Sequence, residues 1–218
     1  VTAGLGFPVW HDIAENLKKC GRQRKRPLKW LFTRLQLQSK VVLMMTAGLL
    51  LIGTLGFFLI EYNNPETMGP LNVPQKLMAS MFQSVTTRTA GFASVSQEGL
   101  EASSKLLGCI LMFIGGSPAG TAGGIKTTTM AMLLLTVICF LRGRRDTECY
   151  NRKLDSEIVR SGITITMITF TFLLCGVAAL TVFQPGEDFL SLLYEAVSAV
   201  ATVGLTADLT PHLERGSH

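Results

Sequence analysis

From Val41 to Ile60 the chain runs for twenty residues without an ionisable side chain, bounded by Lys40 and Glu61. A helix rising ~1.5 Å per residue would carry that run across a hydrocarbon layer of about 30 Å. Ser161 to Phe183 repeats the pattern and is rich in threonine, whose hydroxyl can bond its own helix or a neighbouring one within a membrane. Leu106 to Leu141 is apolar except for Lys126, too long for one straight span, and interrupted by Gly115 to Gly124. It reads as two helical halves around a break. Between the long runs lie two shorter apolar ones, Leu77 to Val85 and Phe189 to Leu193. Each is too short to cross a bilayer and each leads into a Thr-x-Gly turn. The pattern therefore predicts helices over 41–60 and 161–183, half-helices over 74–87 and 188–200, turns at 88–92 and 201–205, and a broken helix over 106–141 with its loop at 115–124.

A weak internal repeat runs through this series. The long helix Val41 to Ile60 is matched by Ser161 to Phe183, and at a shift of 113 positions Met81 to Phe92 matches Tyr194 to Leu205. In the shorter pair only Thr89 with Thr202 and Gly91 with Gly204 are identical. Each unit reads as outward helix, re-entrant half-helix, turn and inward helix, which makes the fold class an all-α integral membrane protein. The alternative is that both turns are ordinary extracellular loops. Their apolar approaches oppose it, since such segments gain little by lying in water.

Composition agrees: 48% of residues are apolar and 16% charged, with a mean hydropathy of +0.37. The net charge of +5 does not point to nucleic acid, because the basic residues flank the apolar runs. Nine lie between Lys18 and Lys40, and six between Arg142 and Arg160. The positive-inside rule makes both segments cytoplasmic and the segment from Glu61 to Lys105 external. The five cysteines show no Cys-x-x-Cys or metal-ligand spacing and read as thiols. His11, His212 and His218 are scattered, and no nucleophile–base or paired-carboxylate constellation supports an enzyme.

The turns carry the chemistry. Thr202-Val203-Gly204 is the core of a potassium-filter sequence, in which backbone carbonyls replace the water a cation has shed. Thr89-Ala90-Gly91 is its counterpart. Gly91 and Gly204 can take the positive φ that turns successive carbonyls to one side. Half-helices begun at Pro74 and at Glu187-Asp188 have sound N-termini. Their C-termini, with unpaired carbonyls worth roughly half a negative charge each, would aim at the turns. Arg88 would repel a cation inside such a turn. It either points behind it, bonding half-helix carbonyls or a carboxylate such as Glu98 or Glu195, or lies exposed at the outer mouth. Unpaired burial near mid-membrane would cost at least ~2.5 to 3.5 kcal/mol.

Gly120-Thr121-Ala122-Gly123-Gly124-Ile125-Lys126-Thr127 superficially resembles a phosphate-binding loop, but Ile125 stands where glycine must precede the lysine and a membrane helix stands where a strand must lead in. The other reading is an unwound patch inside a span, with Ser117, Thr121 and Thr127 bonding the freed backbone. Such a loop at mid-membrane can obstruct ions. Two further classes stay open: a membrane scaffold or regulatory subunit without a pore, its glycines serving helix packing, and a transporter that holds an organic anion at the broken helix with Lys126 as counter-charge.

The order of helix, half-helix, Thr-Arg-Thr-Ala-Gly-Phe (87–92), then Phe-Ile-Gly-Gly-Ser-Pro-Ala-Gly-Thr-Ala-Gly-Gly-Ile-Lys-Thr-Thr-Thr (113–129), then Ala-Thr-Val-Gly-Leu (201–205), resembles the Trk/Ktr/HKT potassium transporters. Among these it is most similar to the bacterial Ktr membrane subunit. The resemblance implies four helix, half-helix, helix repeats, related to potassium channels, around one pore. It makes Thr89, Ala90 and Gly91 the third filter segment and Thr202, Val203 and Gly204 the fourth. Gly115, Gly116, Ser117, Pro118, Ala119, Gly120, Thr121, Ala122, Gly123 and Gly124 become the gating loop, with Arg88 and Lys126 in support. It implies K+ as cargo, Na+ as a possible second ion, and a plasma-membrane homodimer. Beneath it would lie a cytoplasmic ring of Rossmann-type subunits, which bind ATP or ADP in place of this chain.

On that pattern residues 1–40 are the end of repeat two and a basic linker. Residues 41–141 are repeat three, 142–160 a cytoplasmic linker, and 161–212 an incomplete repeat four. Residues 213–218 resemble a cloning remnant with the start of a histidine tag. The chain has no initiator Met and stops soon after Gly204 without a final inward helix, so it reads as a fragment. Two turns alone cannot enclose an ion.

Overall fold

The computed structural model describes residues 3–21, 34–120, 122–143, 148–149, 152–153 and 155–207. Expectations placed on Thr121, on most of the two basic linkers, and on His212, His218 and the remnant at 213–218 lie outside those residues.

A 3-10 turn, Ala3–Leu5, leads into α1, Phe7–Gly21. The long helix α2, Leu37–Ile60, begins one turn before the uncharged run and takes Lys40 into its first turn. It is joined to α1 by Asp12, whose carboxylate accepts the Gln36 N–H at 2.9 Å, and by a small cluster of Leu5, Val9 and Val42. Then follow α3, Val73–Thr86; α4, Ala102–Phe113; α5, Thr127–Leu141; α6, Ser156–Phe183; and α7, Phe189–Val200. A two-residue antiparallel pairing of Glu148–Cys149 with Arg152–Lys153 is the sole strand structure among the described residues.

α3 doubles back along α2 and stops halfway. Near its start Lys76 donates to Tyr62 O, beyond the end of α2, at 2.6 Å. Near its end Ser84 donates to Leu50 O, in the middle of α2, at 3.1 Å. Gly53 permits this approach, since a Cβ there would strike the Ser84 hydroxyl. Fourteen residues at ~1.5 Å each give about 21 Å, short of a full crossing. The N–H of Asn72 is taken by Gln75 Oε1 at 3.1 Å, and α7 is capped by Asp188, which accepts the Ser191 N–H at 3.2 Å. Both supply partners to amides that a helix start leaves unpaired.

The N-terminal end of α4 lies beside those starts. Its N-cap, Glu101, donates its N–H to Glu61 at 3.0 Å, and Lys105 donates to Ser191 at 3.3 Å. α5 continues to the other end, where an apolar crevice of about 230 Å³ separates it from the start of α2. α4 and α5 together thus span the length of α2. α7 packs between α4 and α6, around a core of Cys109, Met112, Leu173, Val177, Tyr194 and Val197.

Burial on α3 runs opposite to that of a helix in a water-soluble bundle. α3 buries Ser80, Gln83, Ser84 and Thr86 and exposes Leu77, Met78, Met81 and Phe82. α2 and α6 are apolar and long enough to cross a membrane, yet 28% and 11% of their apolar windows are buried, so neither is the core helix of a soluble domain. Polar residues inward and apolar residues outward is the distribution a hydrocarbon solvent selects. The protein is an all-α membrane protein.

Candidate functional site

The two Thr-x-Gly bends lie against each other. A Cβ built on Gly91 would stand 2.5 Å from Val203 O. In both bends the threonine as well as the glycine has positive φ: 62° at Thr89, 74° at Gly91, 54° at Thr202 and 82° at Gly204. The glycines are suited to this region, whereas a β-branched residue there is a conformational outlier costing about 1–3 kcal/mol. Sequence reasoning foresaw the glycines and missed the threonines.

Local hydrogen bonds explain how Thr202 is held. Val203 N donates to Ser198 O at 2.8 Å and Thr202 N to Ala199 O at 3.0 Å. That pairing closes a helix C-terminus and puts Thr202 where glycine is usual. Beyond it, Ala201, Val203 and Leu205 are buried in the α7 core while Thr202 and Gly204 face the open side. The outgoing arm is fixed by the Glu195 carboxylate, which accepts the Ala207 N–H at 3.0 Å and the Thr206 hydroxyl. The first bend is fixed differently. Thr86 Oγ1 accepts the Phe92 N–H at 2.9 Å and donates to Phe92 O at 2.5 Å, closing the segment into a loop. The repeat places Ala199 at the position of Thr86, so this hook belongs to one bend only.

These bonds correct one expectation. Most of the last carbonyls of the half-helices are paired. Those of Gln83, Val85 and Thr86 accept from Thr87, Arg88 and Ala90, and those of Val197, Ser198 and Ala199 from Ala201, Val203 and Thr202. Any field at the bends comes from the alignment of the helix and from the carbonyls of the bends themselves.

The Gly-rich segment forms the third side. Its ends are pinned together by Ile125 N to Phe113 O at 3.1 Å and Thr127 N to Gly116 O at 3.0 Å. The backbone freed by the break is therefore paired chiefly with backbone. Thr127 Oγ1 donates to Ser117 Oγ at 3.3 Å and not to a carbonyl, which corrects the expectation for those two side chains. The top of the segment meets the second bend: a Cβ on Gly123 would lie 2.5 Å from Ala201 O and would strike Thr202 Oγ1. Its other flank meets the N-terminal turn, with Ser117 N donating to Gly4 O at 2.9 Å and Phe7 N to Ala119 O at 3.4 Å.

Arg88 does point behind the first bend, but to neither proposed carboxylate. Its guanidinium donates to Thr46 O and Gly115 O, each at 3.4 Å. Glu195 is engaged by the other bend and Glu98 lies on an exposed loop. Arg88 thus bridges the first bend, the middle of α2 and the start of the Gly-rich segment. Lys126 donates to Ala122 O within its own loop, so its charge is spent on that segment's backbone. Among the described residues no three His, Cys, Asp or Glu side chains gather to hold a metal. The donors gathered here are carbonyl oxygens.

Residues 1–214 match the family described as TrkH, cation transport protein. The chain belongs to the TrkH family. It is 36% identical over 213 residues to the Ktr system potassium uptake protein B of Bacillus subtilis, covering 98% of this chain and 45% of that protein. It is 33% identical over 213 residues to the protein of the same name in Vibrio alginolyticus, covering 98% and 44% respectively. It is also 33% identical over 218 residues to the potassium/sodium uptake protein NtpJ of Enterococcus hirae, at 98% and 45%. This TrkH family chain spans less than half the length of these relatives. Their names describe cation uptake and no enzyme activity.

Proposed function

We propose that this chain contributes two of the walls of a potassium-uptake pore, with the carbonyls of Thr89, Ala90 and Gly91 and of Thr202, Val203 and Gly204 as filter. The carrying observation is that two bends with the same alternation of left-handed and ordinary backbone lie in contact. Alternation of that kind turns successive carbonyls toward a common side, which is the arrangement that replaces a cation's hydration shell. Further walls come from repeats beyond this chain. Gly115 to Gly124 serves as the gating loop, and its contact with Ala201 and Thr202 supports a closed position directly behind the filter. K+ enters from outside, is stripped of water at the bends, and passes when the loop withdraws, driven by about 2.3 kcal/mol per charge per 100 mV of membrane potential. Na+ is a second cargo, in keeping with the name of the Enterococcus relative.

The assembled protein is a homodimer in the plasma membrane, resting on a cytoplasmic ring of Rossmann-type subunits that bind nucleotide and contact the basic linkers. Uptake measurements on Gly204→Ser in the complete protein test the filter. The expected result is a reduced preference for K+ over Na+; unchanged discrimination at normal protein levels would refute the assignment.

A further inference from the structure

A buried chain of neutral polar groups links the half-helices. Gln97 lies on the outgoing arm of the first bend, six residues beyond Gly91, and is buried. Its Oε1 accepts from Gln83 Nε2 at 2.7 Å and from Tyr194 Oη at 2.9 Å. Its Nε2 donates to Gln83 Oε1 at 3.2 Å and to Val95 O at 2.9 Å. All four hydrogen-bonding positions of the amide are occupied. Gln83, on α3, and Tyr194, on α7, are fully buried. The Tyr194 ring belongs to the same apolar cluster as Ala201, Val203 and Leu205 of the second bend. One side chain therefore packs with the second bend through its ring and grips the arm of the first through its hydroxyl.

We propose that Gln83, Gln97 and Tyr194 are positioning residues for ion selectivity, holding the two bends at a fixed separation. This rests on the filter reading. K+ and Na+ differ in radius by a fraction of an ångström, so turns free to close on the smaller ion would not discriminate. A saturated network resists such closure, since breaking any bond strands a buried polar group. Its neutrality also matters: it fixes the bends without adding a charge that would trap or repel the passing cation. Nothing in the family motif at 87–92 includes these three positions.

The test is made in the full-length transporter with Tyr194→Phe, which deletes the hydroxyl and leaves the ring in its core, and with Gln97→Leu. Uptake of K+ and of Na+ is measured and normalised to transporter in the membrane. The expected result is a fall of about three- to tenfold in the K+/Na+ uptake ratio for Tyr194→Phe, the range for a lost interhelical hydrogen bond within a membrane. The double variant should fall no further than Gln97→Leu alone, because the second change removes a bond already lost. A purely structural role would lower protein amount and leave the ratio per molecule at its wild-type value, and that result overturns the proposal. If Gly204→Ser alters the ratio and Tyr194→Phe does not, the network is excluded and the filter stands. If neither alters it, the filter reading itself is withdrawn.

Discussion

Adding one methyl group at Gly123 should push the Gly-rich segment away from the second bend. Gly123 has no positive φ, so alanine carries no backbone penalty there; the whole effect is steric. Its Cβ would stand 2.5 Å from Ala201 O, with Thr202 Oγ1 closer still, against an ordinary contact of 3.4 Å or more. Relief requires a displacement of about 1 Å or a strain of the size overpacking usually costs, ~1–3 kcal/mol. That strain falls on the conformation in which loop and bend touch. If this is the closed state, a cost of about 2 kcal/mol raises the ratio of open to closed loops roughly thirtyfold. The assay is initial K+ uptake by cells or vesicles carrying the full-length Gly123→Ala protein, normalised to the amount in the membrane. Uptake should rise, and dependence on the proposed nucleotide-binding partner should weaken. A variant present at wild-type levels with uptake equal to or below wild type would show that the contact is not part of a gate.

Thr86→Val keeps the shape of the hook but removes both of its bonds to Phe92, at a cost of about 0.5–1.5 kcal/mol for each. Thermal unfolding of the detergent-solubilised protein should show the loss, and an unchanged midpoint would mean the bend is held elsewhere. Glu61, fully buried, accepts from Asn64, Thr67 and the Glu101 amide. Glu61→Gln turns one acceptor into a donor facing donors, so proteolysis within 64–72 should accelerate and stability fall by about 1–3 kcal/mol. Wild-type protease resistance would contradict that role.

Much of the helical layout was legible because charge is so unevenly placed along the chain. Val41 to Ile60 and Ser161 to Phe183 announce themselves by lacking charge, and the helices found begin earlier, at Leu37 and Ser156, taking in polar residues expected to belong to linkers. The half-helices were visible from their short apolar approach, and Gly115 to Gly124 from its glycines. What stayed hidden depends on contacts distant in sequence. Nothing in the residues around Arg88 indicates that its partners are the carbonyls of Thr46 and Gly115. The left-handed threonines were hidden because propensity argues against them; the closing hydrogen bonds from Thr202 and Val203 impose the second, and the Ala90 N–H to Thr86 O bond with the Thr86 hook holds the first. The polar network did leave a trace: Lys76, Ser80, Gln83 and Ser84 recur at helical spacing opposite Leu77, Met78, Met81 and Phe82. A polar stripe of that kind on a membrane half-helix marks its inward face.

The most direct measurement is anomalous scattering from Rb+ or Tl+, as K+ stand-ins, in crystals of the full-length protein. The pore account predicts a peak within coordination distance of carbonyl oxygens from both 89–91 and 202–204. No peak there at saturating ion, or a peak served by only one of the bends, would contradict it.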